Sequence, residues 1–344
     1  MTILGIETSC DETGIAIVKR SSPDSYTILS NIVASSLAFH AKTGGIIPEV
    51  ASREQLKCIL PTLEKSLNEA FNISLSNRIT PPIDAIAVTY GPGLIGPLLI
   101  GVETAKTLSL LWNVPIIPVN HMHGHLLVNI IGNNDITLPA IGLVVSGGHT
   151  DLTIIKNHNT INVLGGKRDD AAGEAFDKIG RILSLPYPAG PTISQLAEKG
   201  DKNAFKLPRP MINSGNLDFS FSGLKTAVLN LVKKNGWDFS HKKNDQTLFD
   251  LCASVQSAIV DVIVSKTIQA CTSHSINTVV MGGGVTANKH LRNSLSDNIE
   301  KIGGKLFYPS PFLCTDNGTM IAAAGFFTKT TDWDKINANP QLYY

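Results

Sequence analysis

Three histidines, His121, His123 and His125, stand together in the string His-Met-His-Gly-His. If that stretch is helical, His121 and His125 lie one turn apart on one face, the spacing that lets two imidazoles share a cation, while His123 points elsewhere. The blander reading is a set of half-exposed or capping histidines. A zinc peptidase helix would read His-Glu-x-x-His, and Met122 occupies the place of its general base, so peptide hydrolysis is the weaker use of the pair. Residues 6–14, Ile-Glu-Thr-Ser-Cys-Asp-Glu-Thr-Gly, form an acidic, hydroxyl-rich turn between two apolar stretches. Its N–H groups can meet a phosphate, and the carboxylates of Asp11 and Glu12 a metal or an attacking group; an ordinary polar hairpin tip is the alternative. Cys10 has no base placed beside it by the sequence and reads as a small buried residue.

Two glycine turns offer a different chemistry. Residues 144–150 run from Val144 and Val145 through Ser146, Gly147 and Gly148 into another strand pattern. Glycines there let a ligand approach and expose successive N–H donors, although a plain hairpin selects the same residues. Gly282, Gly283 and Gly284 follow a strand and precede a helix, with Thr286 as its expected cap; a helix start behind such a loop accommodates an anion. Neither a GxGxxG fingerprint nor a GxxxxGK[ST] loop is present, which disfavours Rossmann and P-loop nucleotide sites. Glu174 and Asp177, one helical turn apart, present an acidic face or simply a solvated one. Asp316 reads equally as a ligand or as a helix N-cap.

The elements that must hold these residues alternate between strand and helix. Strands are expected at 3–6, 14–18 and 26–33, a helix at 48–71 bent or divided by Pro61, a strand at 83–89, a buried helix within 94–112, and a strand at 116–119. The pattern restarts with strands at 140–145, 150–155 and 161–164. Helices at 171–183, 222–234 and 247–272 follow, then a strand at 278–281, a helix at 287–302, a strand at 305–308 and a last helix at 317–328. A hairpin opening each half is a weak internal repeat, and the alternation implies an α/β architecture. Residues 235–245 read as an exposed polar loop.

A chain of 344 residues with 43% hydrophobic content exceeds what one core usually holds, so two lobes are expected. Net charge is +1, from 29 Lys and Arg against 28 Asp and Glu, so a polyanion would need a local patch or a partner. The five cysteines are odd in number and lack a CxxC pair, which fits a reducing cytosol and argues against a disulfide framework. No basic, apolar leader opens the chain, and the longest greasy stretch, 94–112, is interrupted by Glu103 and Lys106, so no membrane span is expected.

Taken together the motifs resemble the family of transfer-RNA threonylcarbamoyladenosine synthases, relatives of actin, Hsp70 and sugar kinases once labelled sialoglycoprotein endopeptidases. GIETSCDET, GGIIPEVASR, GPGLIGPLLIG, NHMHGH, LVVSGGHT, DDAAGEAFDK, FSFSGLKT, GGGVTAN and CTDNGTMIA carry the resemblance from Gly5 to Ala322. It implies two actin-like, ribonuclease H-like lobes with a central ligand cleft: residues 1–128 with a returning 317–344, and residues 129–316. It also implies a cytoplasmic transferase that moves threonylcarbamoyl from its adenylate to the exocyclic amine of the adenosine 3′ to the anticodon of tRNA, releasing AMP.

By the same resemblance His121, His125 and Asp316 match ligands of one divalent metal, iron by family precedent or zinc. Val144, Val145, Ser146, Gly147 and Gly148 match a substrate-contacting loop, and Asp177, Gly190 and Asn288 match contacts to the donor's adenosine. Asp11, with Glu12 second, is the candidate for orienting or deprotonating the amine. Accessory subunits are implied as partners: in a bacterial setting, a paralogous actin-like chain (TsaB-like) and a small ATPase (TsaE-like). Two positions depart from the pattern: Ala189 where a glycine is usual, and His123 where an acidic residue is common. A nucleotide-binding scaffold without catalysis and a metal-dependent peptidase remain the competing readings.

Overall fold

The computed structural model describes residues 1–77, 79–240 and 245–344, so part of the loop expected at 235–245 lies outside the described residues. The chain divides into two compact units. One comprises Met1–Ile136, Asn157–Ile161 and Pro309–Tyr344; the other comprises Thr137–Lys156 and Asn162–Tyr308.

The first unit contains β1 (Thr2–Glu7), β2 (Glu12–Ser22), β3 (Ser25–Ser35), α1 (Leu37–Thr43), α2 (Pro48–Phe71), β4 (Ala85–Gly91), α3 (Ile95–Trp112), β5 (Ile116–Asn120) and α4 (His121–Leu127). Its sheet runs β3-β2-β1-β4-β5. β1 pairs antiparallel with β2 and parallel with β4. β1 is buried along its whole length, as expected of a strand covered on both faces. Period-two alternation sends Leu4 and Ile6 into a core with Ile59, Leu63 and Val102 under α2 and α3, and turns Ile3 toward Met320 and Ile321 on the opposite face.

The second unit, apart from Asn157 and Thr160–Ile161 at the facing ends of β7 and β8, repeats the plan with β6 (Ala140–Val145), β7 (Thr150–Asn157), β8 (Thr160–Gly165), α5 (Ala172–Ile182), α6 (Ala189–Ala197), α7 (Ser222–Asn235), α8 (Gln246–His274), β9 (Thr278–Gly282), α9 (Lys289–Lys301) and β10 (Lys305–Phe307). Its sheet order is β10-β9-β6-β7-β8, the order of the first sheet with each strand replaced by its counterpart. The chain then returns to the first unit with α10 (Gly318–Gly325).

Several expectations are corrected. α2 passes through Pro61 as one helix, so the exposed proline does not divide it. α3 is only half buried, because it covers the sheet with one face and leaves Ile95, Leu99, Leu110 and Leu111 outside. α8 is long enough, and apolar enough over part of its length, to cross a membrane by composition alone, yet it is largely buried here as a core helix. α1 and α6 escaped the pattern search because both are short and begin among turn-forming residues. The segment 309–316, placed by sequence with the second lobe, belongs to the first unit because it leads directly into α10.

Candidate functional site

Asn120 ends β5 and accepts a hydrogen bond from Met122 N at 2.8 Å, so α4 starts at His121 and the histidines fall on helical spacing. The His121 and His125 rings lie 4.6 Å apart between centroids, at 78°. Asp316 is brought to them by α10, whose cap is Asn317 rather than Asp316: Asn317 Oδ1 accepts from Met320 N at 3.0 Å. Asp316 Oδ1 stands 3.2 Å from His125 Nε2 and 3.7 Å from His121 Nε2. One donor atom from each of the three side chains lies within 4.8 Å of the others.

Close approach of backbones makes this convergence possible. A Cβ on Gly5 would fall 2.1 Å from Gly318 O, so the start of α10 presses on β1 only because both residues lack side chains. On the other flank, Gly124 packs toward Ile321 and Met320, where an added Cβ would meet Ile321 Cδ1 at 3.0 Å.

The donor set fits a divalent cation. Both ring nitrogens of His125 are buried without a hydrogen bond, a costly state for polar atoms that metal ligation would relieve at one of them. Two imidazoles and one carboxylate are the ligands of a catalytic site with open positions. Negative charge gathers around them. Burial, then Asp316, Asp11 and Glu7, push the Glu12 carboxyl up to about 8. Asp11 is raised by burial and by Asp316, and the Cys10 thiol is pushed well up by burial and neighbouring carboxylates. For His121, burial acts downward, but Glu7 and Asp316 outweigh it and raise the imidazolium to about 9. A cation among these groups would reverse that balance. Burial holds His123 down at about 4, neutral near pH 7, with its ring 5.9 Å from that of Tyr344. Met122 is buried and offers no base, which removes support for a peptidase.

Residues that motif reading passed over hold this end of the sheet. Gln55 of α2 donates its Nε2 to the carbonyls of Thr8, Cys10 and Glu12 at 3.4, 3.1 and 3.0 Å, tying down the acidic turn. Ser36 Oγ donates to Asp11 O at 2.7 Å. Glu7, fully buried, accepts from Ser9 N at 2.5 Å and Thr89 Oγ1 at 2.6 Å, and its Oε2 lies 3.0 Å from His121 Nδ1. A carboxylate closing the otherwise apolar strand Thr2–Glu7 was the available signal for Glu7; a glutamine within a polar helix gave none for Gln55.

The remaining candidates lie in the second unit. Val144 and Val145 are buried at the end of β6, and Ser146 Oγ accepts from Gly148 N at 3.3 Å and His149 N at 3.0 Å. Beside Gly147 and Gly148 is open space, where an added Cβ would meet nothing within 4 Å. Gly283, at φ +92°, crosses so near that a Cβ would lie 2.4 Å from Val145 O. Asp177 Oδ1 accepts from Ala189 N at 2.7 Å next to Gly190, and burial raises its carboxyl. Ala189 begins α6 and has no positive φ, so the departure from glycine there carries no backbone strain. Asn288, not Thr286, caps α9 by accepting from Leu291 N at 2.9 Å, and its Nδ2 donates to Gln256 Oε1 at 2.8 Å and Ser194 Oγ at 3.4 Å. The motifs at 169–178 and 218–223 are stapled together: Arg168 Nε donates to Asp218 at 2.8 Å and Ser220 Oγ to Asp169 at 2.6 Å.

Comparison with known proteins completes the picture. A solved structure of component A of (R)-2-hydroxyglutaryl-CoA dehydratase from Acidaminococcus fermentans superposes with TM-score 0.53 at 15% identity, covering 98% of this chain and 99% of that one. Full-length HypF in its phosphate- and nucleotide-bound form gives 0.58 at 13%, over 95% of this chain and 55% of that one. At such identities the likeness bears on the fold alone, a pair of actin-like α/β lobes. Sequence relatives lie much nearer. The tRNA N6-adenosine threonylcarbamoyltransferase of Syntrophomonas wolfei is 47% identical over 93% of this chain and 90% of its own length. The protein of the same name from Thermosipho africanus is 47% identical over 95% and 94%. The family profile described as TsaD, tRNA N6-adenosine threonylcarbamoyltransferase, matches residues 27–323. The chain belongs to the tRNA N6-adenosine threonylcarbamoyltransferase family.

Proposed function

We propose that this chain transfers a threonylcarbamoyl group from threonylcarbamoyl-AMP to the exocyclic amine of the tRNA adenosine 3′ to the anticodon, releasing AMP. Membership of the family supports the reaction, and the observation that carries its chemistry is the convergence of His121, His125 and Asp316. Those three side chains would hold one divalent ion, iron or zinc, which when bound supplies Lewis-acid polarisation of the carbamoyl carbonyl. The amine attacks the carbamoyl carbon, the carbon–oxygen bond to the phosphate breaks, and the amine proton must go to a base. Asp11 is assigned to orient the amine or take that proton, with Glu12 second; burial raises both carboxyls above their ordinary values, which makes each a stronger base. The Val144, Val145, Ser146, Gly147 and Gly148 turn, open beside its glycines, is assigned to the donor, and Asp177, Gly190 and Asn288 to its adenosine half.

A net charge of +1 leaves phosphate contacts to local patches or to partners, so accessory subunits, an actin-like paralogue and a small ATPase, belong to this proposal. So does a cytoplasmic setting, with which five free thiols agree. The test is to incubate purified protein, with and without accessory subunits, with threonylcarbamoyl adenylate and unmodified tRNA, and to measure modified nucleoside and AMP. Chelation should abolish turnover and added divalent metal restore it. No modified nucleoside under any of these conditions would leave only a nucleotide-binding scaffold.

A further inference from the structure

Glu7 serves none of the roles assigned above, yet it is a fully buried carboxylate at the C-terminal end of β1. An ionisable group in such a place is normally held by several partners. Its partners are unusual in what they leave over. Ser9 N occupies Oε1 at 2.5 Å; Thr89 Oγ1, from the neighbouring strand β4, donates to Oε2 at 2.6 Å. The same Oε2 then faces His121 Nδ1 at 3.0 Å, and Ser9 Oγ lies 3.2 Å from that nitrogen. On the far side of the ring, His121 Nε2 points toward Asp316 Oδ1 at 3.7 Å. His125, the other imidazole of the pair, has no hydrogen-bond partner on either nitrogen. The two histidines therefore differ: a strand carboxylate stands behind His121, whereas His125 faces only Asp316, at 3.2 Å from its Nε2.

We infer that Glu7, braced by Thr89 and Ser9, is a positioning residue that fixes the rotation and tautomer of His121, keeping the proton on Nδ1 and the Nε2 lone pair toward the metal position. A carboxylate on the outer nitrogen of a ligating imidazole both orients the ring and increases its basicity. Strand geometry supplies the placement. Alternation along β1 turns Ile3 toward Met320 and Ile321 and puts Gly5 against Gly318, so Glu7, the next residue of that face, points where α4 and α10 converge. Substituting Glu7 should thus weaken the metal site without touching a ligand. The inference rests on the proposed ligand set, and its test is chosen to fail separately from it.

Co²⁺ and Zn²⁺ are titrated into metal-free full-length protein, wild type against Glu7→Gln and Thr89→Val, following heat, the visible Co²⁺ spectrum and the melting temperature of each metal-free form. Glu7→Gln is expected to lower metal affinity about 10- to 100-fold, the usual cost of losing such a partner, and to change the Co²⁺ spectrum. Thr89→Val, which removes only the brace, should produce a smaller loss in the same direction and serves if Glu7→Gln fails to fold. Nitrogen-15 spectra of the zinc form should show the His121 proton on Nδ1 in wild type and lose that signature in Glu7→Gln. Unchanged affinity and spectrum in both variants, or a wild-type zinc form with Nδ1 as the ligating nitrogen, would overturn the role of Glu7 while leaving the ligand set standing. Wild-type protein that binds neither metal would overturn the ligand set and this role together.

Discussion

Buried carboxylates and imidazoles at the end of β1 give the folded chain a proton affinity that its unfolded form lacks. Glu12 is raised from 4.5 to about 8, chiefly by burial and then by Asp316. The folded chain therefore binds a proton that the unfolded one releases above pH 4.5, and stability declines as pH rises through 8. His121, raised from 6.5 to about 9 by Glu7 and Asp316 against burial, acts in the same direction: its contribution is complete below 6.5 and lost as pH rises through 9. His123 opposes them at lower pH, because between about 4 and 6.5 only the unfolded chain takes up its proton, so stability rises over that window. Metal-free protein should consequently lose melting temperature between pH 7 and 9. A saturating divalent metal, competing with the same protons, should raise the melting temperature more at pH 8.5 than at pH 6. Scanning calorimetry across that range checks both, and a metal effect independent of pH would contradict the assignment of these groups to its site. In the transfer assay, Asp11→Asn should reduce turnover by about 10²- to 10⁴-fold if Asp11 takes the amine proton, with metal content unchanged. Full turnover in that variant would remove the role.

Strands and helices explain why residues distant in sequence meet. In the first sheet Glu7 ends β1 and Asn120 ends β5, both parallel to β4; in the second, Ser146 follows β6 and Gly283 follows β9, also a parallel pair. Carboxyl ends of parallel strands are where open α/β sheets bind ligands, and each unit by itself places some of its candidate residues there. The sequence made much of this legible. Alternating apolar runs marked nearly every strand, and the i, i+4 histidine pair lies on a helix, the condition its shared face required. Contacts made through backbone were not legible: Gln55 reads carbonyls, which leave no trace in residue type, and Asn317 rather than Asp316 won the cap because Asp316 turns to the imidazoles. Glycine substitutions probe the same geometry. Gly124→Ala pushes against flexible Ile321 and Met320 tips and should cost about 1–3 kcal/mol while loosening α4 from α10. Gly5→Ala meets the Gly318 carbonyl at 2.1 Å, where nothing flexible can yield, and should be the more damaging of the two. Urea denaturation that ranked them in the reverse order would refute the account of how α10 is seated.

At the scale of the whole chain, the proposed substrate and the protein's charge are in tension. A tRNA is a dense polyanion, and each phosphate neutralised by Lys or Arg releases counterions and steepens the fall of affinity with salt. Here 29 basic residues are offset by 28 acidic ones, and acidic side chains crowd the candidate centre itself. Long-range steering toward tRNA is therefore weak, whereas the binding of a small anionic donor depends far less on net charge. Binding of the two substrates should then separate experimentally. Purified chain should bind threonylcarbamoyl adenylate in a metal-dependent way that Asp316→Ala abolishes, yet bind unmodified tRNA only weakly, with a shallow dependence on salt. Adding accessory subunits should tighten tRNA binding and steepen the salt slope without altering donor affinity to the same degree. If the chain alone binds tRNA tightly, with a slope reporting many phosphate contacts, a basic surface of its own must supply them, and the need for partners would have to lie in the chemical step instead.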